Sequence, residues 1–161
     1  MNILPKKLND YLKENKIKYE TIVHPEVFTA QETAAVEHIS GKEVAKVLIV
    51  RADNKADAML VLPANRRVDM EKVRKVLGAK EVRLTGEKEF QELFPDSQVG
   101  AMPPFGNLYD LPCYLDKHMS ALNEIVFNAG THRESIKMSF LDYEKLAKPF
   151  IAEFAADFAT A

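Results

Sequence analysis

A chain of 161 residues with 47% hydrophobic and 29% charged side chains can bury a real core, which excludes the disordered and fibrous classes. A net charge of −2 argues against a protein that coats DNA or other nucleic acid, because phosphate-driven affinity shows as a basic excess. The single cysteine, Cys113, forms no internal disulfide, and neither a signal peptide nor an apolar run of about 20 residues is present, so the expected location is the cytoplasm, away from membranes.

From the N-terminus, Leu4, Leu8, Tyr11 and Leu12 recur at helical spacing and predict an amphipathic helix over residues 5–15, with Pro5 in its first turn. Tyr19 to Val23 alternates as a strand does, and His24-Pro25 breaks it. Thr29-Ala30-Gln31-Glu32 has the form of a capping box opening a helix that runs to about His38, and Ser40 to Glu43 reads as one further helical turn. Lys46-Val47-Leu48-Ile49-Val50 is an apolar run headed by a lysine. Its β-branched residues and the Asp53-Asn54 turn predict a strand buried on both faces, with residues 58–62 as its antiparallel partner.

Asp69 caps a predicted helix with Met70, Val73, Val76 and Leu77 on one face, and Gly78 suits the left-handed position after its end. A short strand over 81–84 and a helix over 88–94, stopped by Pro95, lead into Val99-Gly100-Ala101-Met102-Pro103-Pro104-Phe105-Gly106-Asn107. Two glycines and two prolines give that loop a preset shape, and main-chain groups become available where no bulky side chain intervenes. Three more strands are expected at 111–116, 124–128 and 135–138, the second closing on Asn128-Ala129-Gly130-Thr131-His132. A capping box at Ser139 to Asp142 starts the last helix, with Leu141 and Leu146 on its apolar face and a break at Pro149. Helices mixed with hairpin-like strand pairs predict an α+β fold in one domain spanning 1–161.

The chemistry these residues exclude is as informative as what they allow. The four histidines are scattered without the pairing of a zinc site, so no metal and no cofactor is expected. There is no Gly-x-Ser-x-Gly elbow, no P-loop and no dinucleotide fingerprint. Cys113, between Pro112 and Tyr114 at the start of an apolar strand, reads as core, and Asp116, at a strand end, as a solvated turn carboxylate ahead of the alternative that it binds an amino group. Lys46 must either reach water or meet an anion, where its ammonium would suit a phosphate or an oxyanion. His132 follows Gly130 in a loop, where it reads equally as a surface side chain or as a proton donor near neutral pH.

His24-Pro25 with Val27-Phe28-Thr29, then Ala45-Lys46-Val47-Leu48-Ile49, the Gly100-Ala101-Met102-Pro103-Pro104 form of a GxxxP loop, and Asn128-Ala129-Gly130-Thr131-His132 together resemble the YbaK and ProX family of aminoacyl-tRNA editing domains, which includes the insertion domain of bacterial prolyl-tRNA synthetases. The resemblance runs from about His24 to the final helix. It implies a mixed, largely antiparallel sheet curled into a partly open barrel with flanking helices. It also implies hydrolysis of the ester joining a wrong, small amino acid (alanine, cysteine, serine or threonine) to the terminal adenosine of a mischarged tRNA, by positioning the ester and a water. By this likeness Lys46, Gly100, Ala101 and His132 form the catalytic set, and Phe28, Thr29, Met102, Pro103, Pro104, Phe105 and Gly130 surround the substrate. The absence of a synthetase domain implies action in trans, with a synthetase or an elongation factor as further partner. The alternative is a module that binds an amino acid or an adenylate-like ligand without catalysis.

Overall fold

The computed structural model describes residues 4–27, 29–37 and 39–158. In chain order the elements are α1 (Lys6–Glu14), β1 (Tyr19–Val23), α2 (Ala30–Glu37), β2 (Ala45–Ala52), β3 (Ala56–Pro63), β4 (Arg67–Val68), α3 (Met70–Leu77), β5 (Val82–Leu84) and α4 (Glu87–Leu93). After the loop and a 3-10 turn at Gly106–Tyr109 come β6 (Cys113–Asp116), β7 (Glu124–Asn128), β8 (Glu134–Ser139), α5 (Phe140–Ala147), β9 (Phe150–Ala152) and β10 (Ala155–Ala156). The α+β expectation holds.

The strands form three sheets. One has the order β5-β2-β3-β6-β9, one β1-β8-β7, and β10 pairs with β4 alone. The first two meet at a single parallel bridge between Val44 and Val126. Pairing is antiparallel except for β3 with β6 and β6 with β9. Asp53 and Asn54, both at positive φ, turn β2 back onto β3, as the hairpin geometry requires.

Burial on both faces of the β2–β3 hairpin follows from its period of two. Ala45, Ile49, Met59 and Val61 enter the main core, while Val50, Ala58, Leu60 and Leu62 enter a second, smaller core under α3 with Val73 and Phe154. The main core is closed by α1, through Leu8 and Leu12, and by α5, through Phe140, Tyr143 and Leu146. Each such fully buried side chain contributes about 1.5–3 kcal/mol. The caps behave as local chemistry dictates: the Asp69 carboxylate accepts from the amides of Glu71 and Lys72, and Gly78 ends α3 at φ 63.

Three expectations change. Ser40 to Glu43 makes a turn, with the Glu43 amide on the Ser40 carbonyl, rather than a helical turn. Leu141 is 74% exposed, because α5 presents its Phe140, Tyr143 and Leu146 face to the core. Asp116 is fully buried instead of solvated. The break expected at Pro149 holds, since α5 ends at Ala147 and Lys148 turns left-handed at φ 48, and β9 and β10, which no expectation covered, follow as sheet strands.

Candidate active site

The site starts from an asymmetry in the five-stranded sheet. β3 pairs along all of β2, but β5 covers only Val50 to Ala52. Among the described residues the first half of β2 therefore keeps one open edge, and a cavity of about 220 Å³ lies there. Lys46, Thr29, Gly100, Met102 and Asn128 line it, with Ala45, Val47, Leu48 and Gln31. At this size it fits a small group rather than a drug-sized ligand, whose pockets run to about 300–1,000 Å³.

Lys46 lies on the β2 face shared with Leu48 and Val50. Its ammonium donates to the Arg66 carbonyl at 2.7 Å and sits 5.4 Å from the centre of the Phe158 ring. Burial pushes its pKa below the ordinary lysine value. No carboxylate pairs with it among the described residues. Of the three donors an ammonium carries, the Arg66 carbonyl engages one, and the cation is left without a counter-charge beside a cavity.

The glycine-proline loop reaches the cavity through Gly100 and Met102 and is otherwise tied down from behind. Gly100 adopts φ 82, a conformation that strains any residue with a Cβ. Ala101 is fully buried, donating to the Gln98 carbonyl and accepting from the Gly130 amide. The Gln98 amide in turn donates to the Gly130 carbonyl, so the loop is laced to the turn after β7. Gly130 itself lies against α1: a Cβ there would stand 2.7 Å from Pro5 Cγ.

The sequence-derived set thus divides in two. Lys46, Gly100, Thr29 and Met102 converge on the cavity. Thr29 does so from the start of α2, where its hydroxyl accepts from the Glu32 amide and donates to the Glu32 carboxylate, both at 3.0 Å. Ala101, Pro103, Pro104, Phe105, Gly130 and His132 do not line it. Phe105 is fully buried among Tyr11, Phe127 and Tyr143, with ring centres 5.3–6.3 Å apart, so it is core rather than wall. The Pro104 carbonyl accepts from the Tyr143 hydroxyl at 2.9 Å. Phe28 lies outside the described residues.

His132 sits behind the loop. Its Nε2–H donates to the Val99 carbonyl at 2.7 Å, and its amide donates to the Gln98 side chain. The histidine holds the residue before Gly100, with Cε1 3.8 Å from where a Gly100 Cβ would stand. Cys113 is 4% exposed, and burial raises its thiol to about 11, which keeps it protonated.

Asn128 is the lining residue that reading residue types overlooks. Its amide oxygen is buried with no hydrogen-bond partner among the described residues, an arrangement that costs about 1–3 kcal/mol and marks a vacant acceptor. The signal available in sequence was its place: a polar residue ending an apolar strand, directly before Ala129-Gly130.

A more open hollow of about 440 Å³ lies at the other end of β2. Its three arginines all face carboxylates: Arg51 meets Asp57 and Glu89, Arg74 meets Glu71, and Arg83 meets Glu89. Its arginines are already satisfied, whereas the lysine of the smaller cavity is not. Among the described residues no three His, Cys, Asp or Glu side chains converge as a metal set would. No helix of the described residues is long and apolar enough to cross a membrane.

This fold coincides with a known domain. The profile of the aminoacyl-tRNA editing domain matches residues 24–146, and the chain belongs to that family. It is 23% identical to the prolyl-tRNA editing protein ProX of Acetoanaerobium sticklandii over 142 residues, covering 85% of this chain and 86% of the relative. It is 22% identical over 147 residues to the multifunctional Ser/Thr-tRNA deacylase ProXp-y of Escherichia coli K12, covering 89% and 87%. In fold it matches a crystal structure described as a candidate trans-editing enzyme for prolyl tRNA synthetase, with a TM-score of 0.81 at 21% identity over 94% of this chain and 96% of the other.

Proposed function

We propose that this chain is a trans-acting deacylase that hydrolyses a mischarged aminoacyl-tRNA carrying a small amino acid of the alanine, cysteine, serine or threonine class. The observation that carries it is that Lys46 and Gly100 line one cavity of about 220 Å³. Family membership and the names of the two relatives support the reaction class.

The acyl group enters the cavity between β2 and the loop, and the curl that brings the Val44–Val126 bridge together belongs to the partly open barrel in this reading. A water oxygen attacks the ester carbonyl carbon, and the carbonyl oxygen takes up the negative charge. The tetrahedral intermediate collapses, the bond to the ribose oxygen breaks, and that oxygen receives a proton from the water by way of the neighbouring ribose hydroxyl. The products are the free amino acid and an uncharged tRNA.

An aminoacyl ester is already activated, so positioning and electrostatics supply much of the acceleration and no protein nucleophile is needed. Lys46, lacking a counter-charge, stabilises the oxyanion as a point charge. The vacant Asn128 oxygen accepts from the α-ammonium of the substrate. His132 acts through the loop, by fixing the Val99 carbonyl and with it Gly100. Cavity size excludes large side chains but separates neighbours that differ by one methylene only about 10- to 200-fold.

The test is a panel of mischarged tRNAs incubated with the protein and with Lys46→Ala. Hydrolysis of a small-residue ester by the natural protein, lost in the variant, is the expected result. Hydrolysis of none, or equal rates for both proteins, would overturn the proposal.

A further inference from the structure

Beyond the cavity, the end of the described chain forms a strap beside Lys46. β10 pairs with β4 through Ala155 with Val68 and Ala156 with Arg67. The amides of Phe154 and Ala155 donate to Asp116 Oδ1 at 3.0 and 2.9 Å. Further along, the Asp157 carboxylate pairs with Arg66 at 2.8 Å and its carbonyl accepts from Arg67 Nε. These anchors hold two phenylalanines in opposite circumstances. Phe154 is fully buried in the second core, whereas Phe158 keeps 46% of its surface in water with its ring beside the Lys46 ammonium.

An aromatic ring held in place by its backbone, partly solvated and bordered by Lys46, Arg66 and Arg67, has the two features that bind single-stranded nucleic acid. One is a π-face for a base and the other is positive charge for the phosphate beside it. The Asp157 carboxylate facing Arg66 is 88% exposed, so that pair is screened and yields to a phosphate at little cost. A core role does not account for the ring, and among the described residues nothing apolar covers it in the way that Phe154 is covered.

We infer that Phe158 is a stacking platform for the terminal adenine of the acceptor end, holding the last nucleotide beside Lys46 while the ester enters the cavity. The inference rests on the deacylase reading for its ligand. It adds a base-binding site some distance from the reacting atoms, on a segment outside the matched editing-domain residues.

The chain contains no tryptophan, so Phe158→Trp places a single tryptophan at the site in question, whose emission can be excited selectively over that of the five tyrosines. A short single-stranded RNA ending in CCA quenches that fluorescence, and the same strand with an abasic terminal nucleotide does not. With acylated acceptor-stem RNA, Phe158→Ala and Phe158→Leu raise KM about 5- to 150-fold, the range expected for loss of one stacked base, and act on kcat far less. Phe158→Trp retains a low KM. Quenching indifferent to the terminal base overturns the proposal, as does an unchanged KM in the alanine variant. A rise in kcat/KM on removing the ring would show a cover instead of a platform, and also overturns it. Base-dependent quenching in a protein that cleaves no ester would leave the platform standing and remove the deacylase reading, so the two failures are distinguishable.

Discussion

Lys46 and Arg51 stand near opposite ends of the same strand and are treated in opposite ways. Arg51 is held by two carboxylates, Asp57 and Glu89, and hydrogen bonding to Asp57 raises its pKa further still. Lys46 faces a carbonyl and a ring, with burial lowering its pKa. Neutralised charge is structural: it closes the β2, β5 and α4 corner. Charge left without a counter-charge beside a cavity costs stability unless a ligand supplies one, which is why the smaller hollow is the active-site candidate and the larger is not.

The largest expected effect comes from removing the unpaired cation. Lys46→Ala lowers kcat/KM about 100-fold or more, the scale of losing one preorganised oxyanion donor. Its thermal midpoint holds or rises, because a desolvated charge is gone. Lys46→Arg leaves turnover low, since a planar fork does not replace a compact ammonium. Single-turnover deacylation with differential scanning calorimetry on the same samples reads both, and a large loss of stability in Lys46→Ala would break the contrast with Arg51.

Next comes the backbone behind the loop. Gly130→Ala forces a Cβ against Pro5 at φ 94 and destabilises by about 1–3 kcal/mol, with activity falling in step as the loop shifts. Chemical denaturation measures the first and deacylation rate the second. Arg51→Met has a smaller effect, lowering the thermal midpoint by a few degrees while turnover on the preferred ester is unchanged. A loss of turnover there would show that the two ends of β2 are coupled.

The smallest effect is a pH dependence. The Arg83 guanidinium, helped by the Gly86 amide, holds Glu89 down from 4.5 to about 2. A carboxyl whose folded value is depressed contributes stability that is fully present above its unfolded value and is lost as pH falls through the folded one. The contribution of Glu89 is therefore complete above about pH 4.5 and disappears towards pH 2. Acid unfolding of Glu89→Gln, flatter in that window than the natural protein, checks it.

Much of this was legible in the residues. The cap of α3 lies in Asp69 and Gly78 themselves, and the β2–β3 hairpin in an apolar run, Asp53-Asn54 and a second run, because each depends on neighbours in the chain. The encounter of Lys46 with Gly100 was legible only as a resemblance, since it joins residues far apart in sequence. What escaped was direction and distance. Nothing local says that the ring after Pro103-Pro104 turns inward to Tyr143, or that His132 points at a carbonyl behind the loop. The strands after Pro149 were invisible for a related reason. Three residues, Phe150 to Ala152, are too short to show a period, and their partner β6 runs parallel to them from far upstream.

Asp116 gives those last strands a practical meaning. Burial pushes its carboxyl up, but the amides of Phe154, Ala155 and His118 and the His118 ring outweigh this and hold it below the usual value. The editing-domain match ends at residue 146, before β9 begins, so a recombinant fragment trimmed to that boundary would strip β6 of its outer neighbour and this anion of two donors. Such a fragment would carry a raw sheet margin able to recruit other chains, and insolubility on expression would follow from where the scissors fell rather than from any defect in the candidate site.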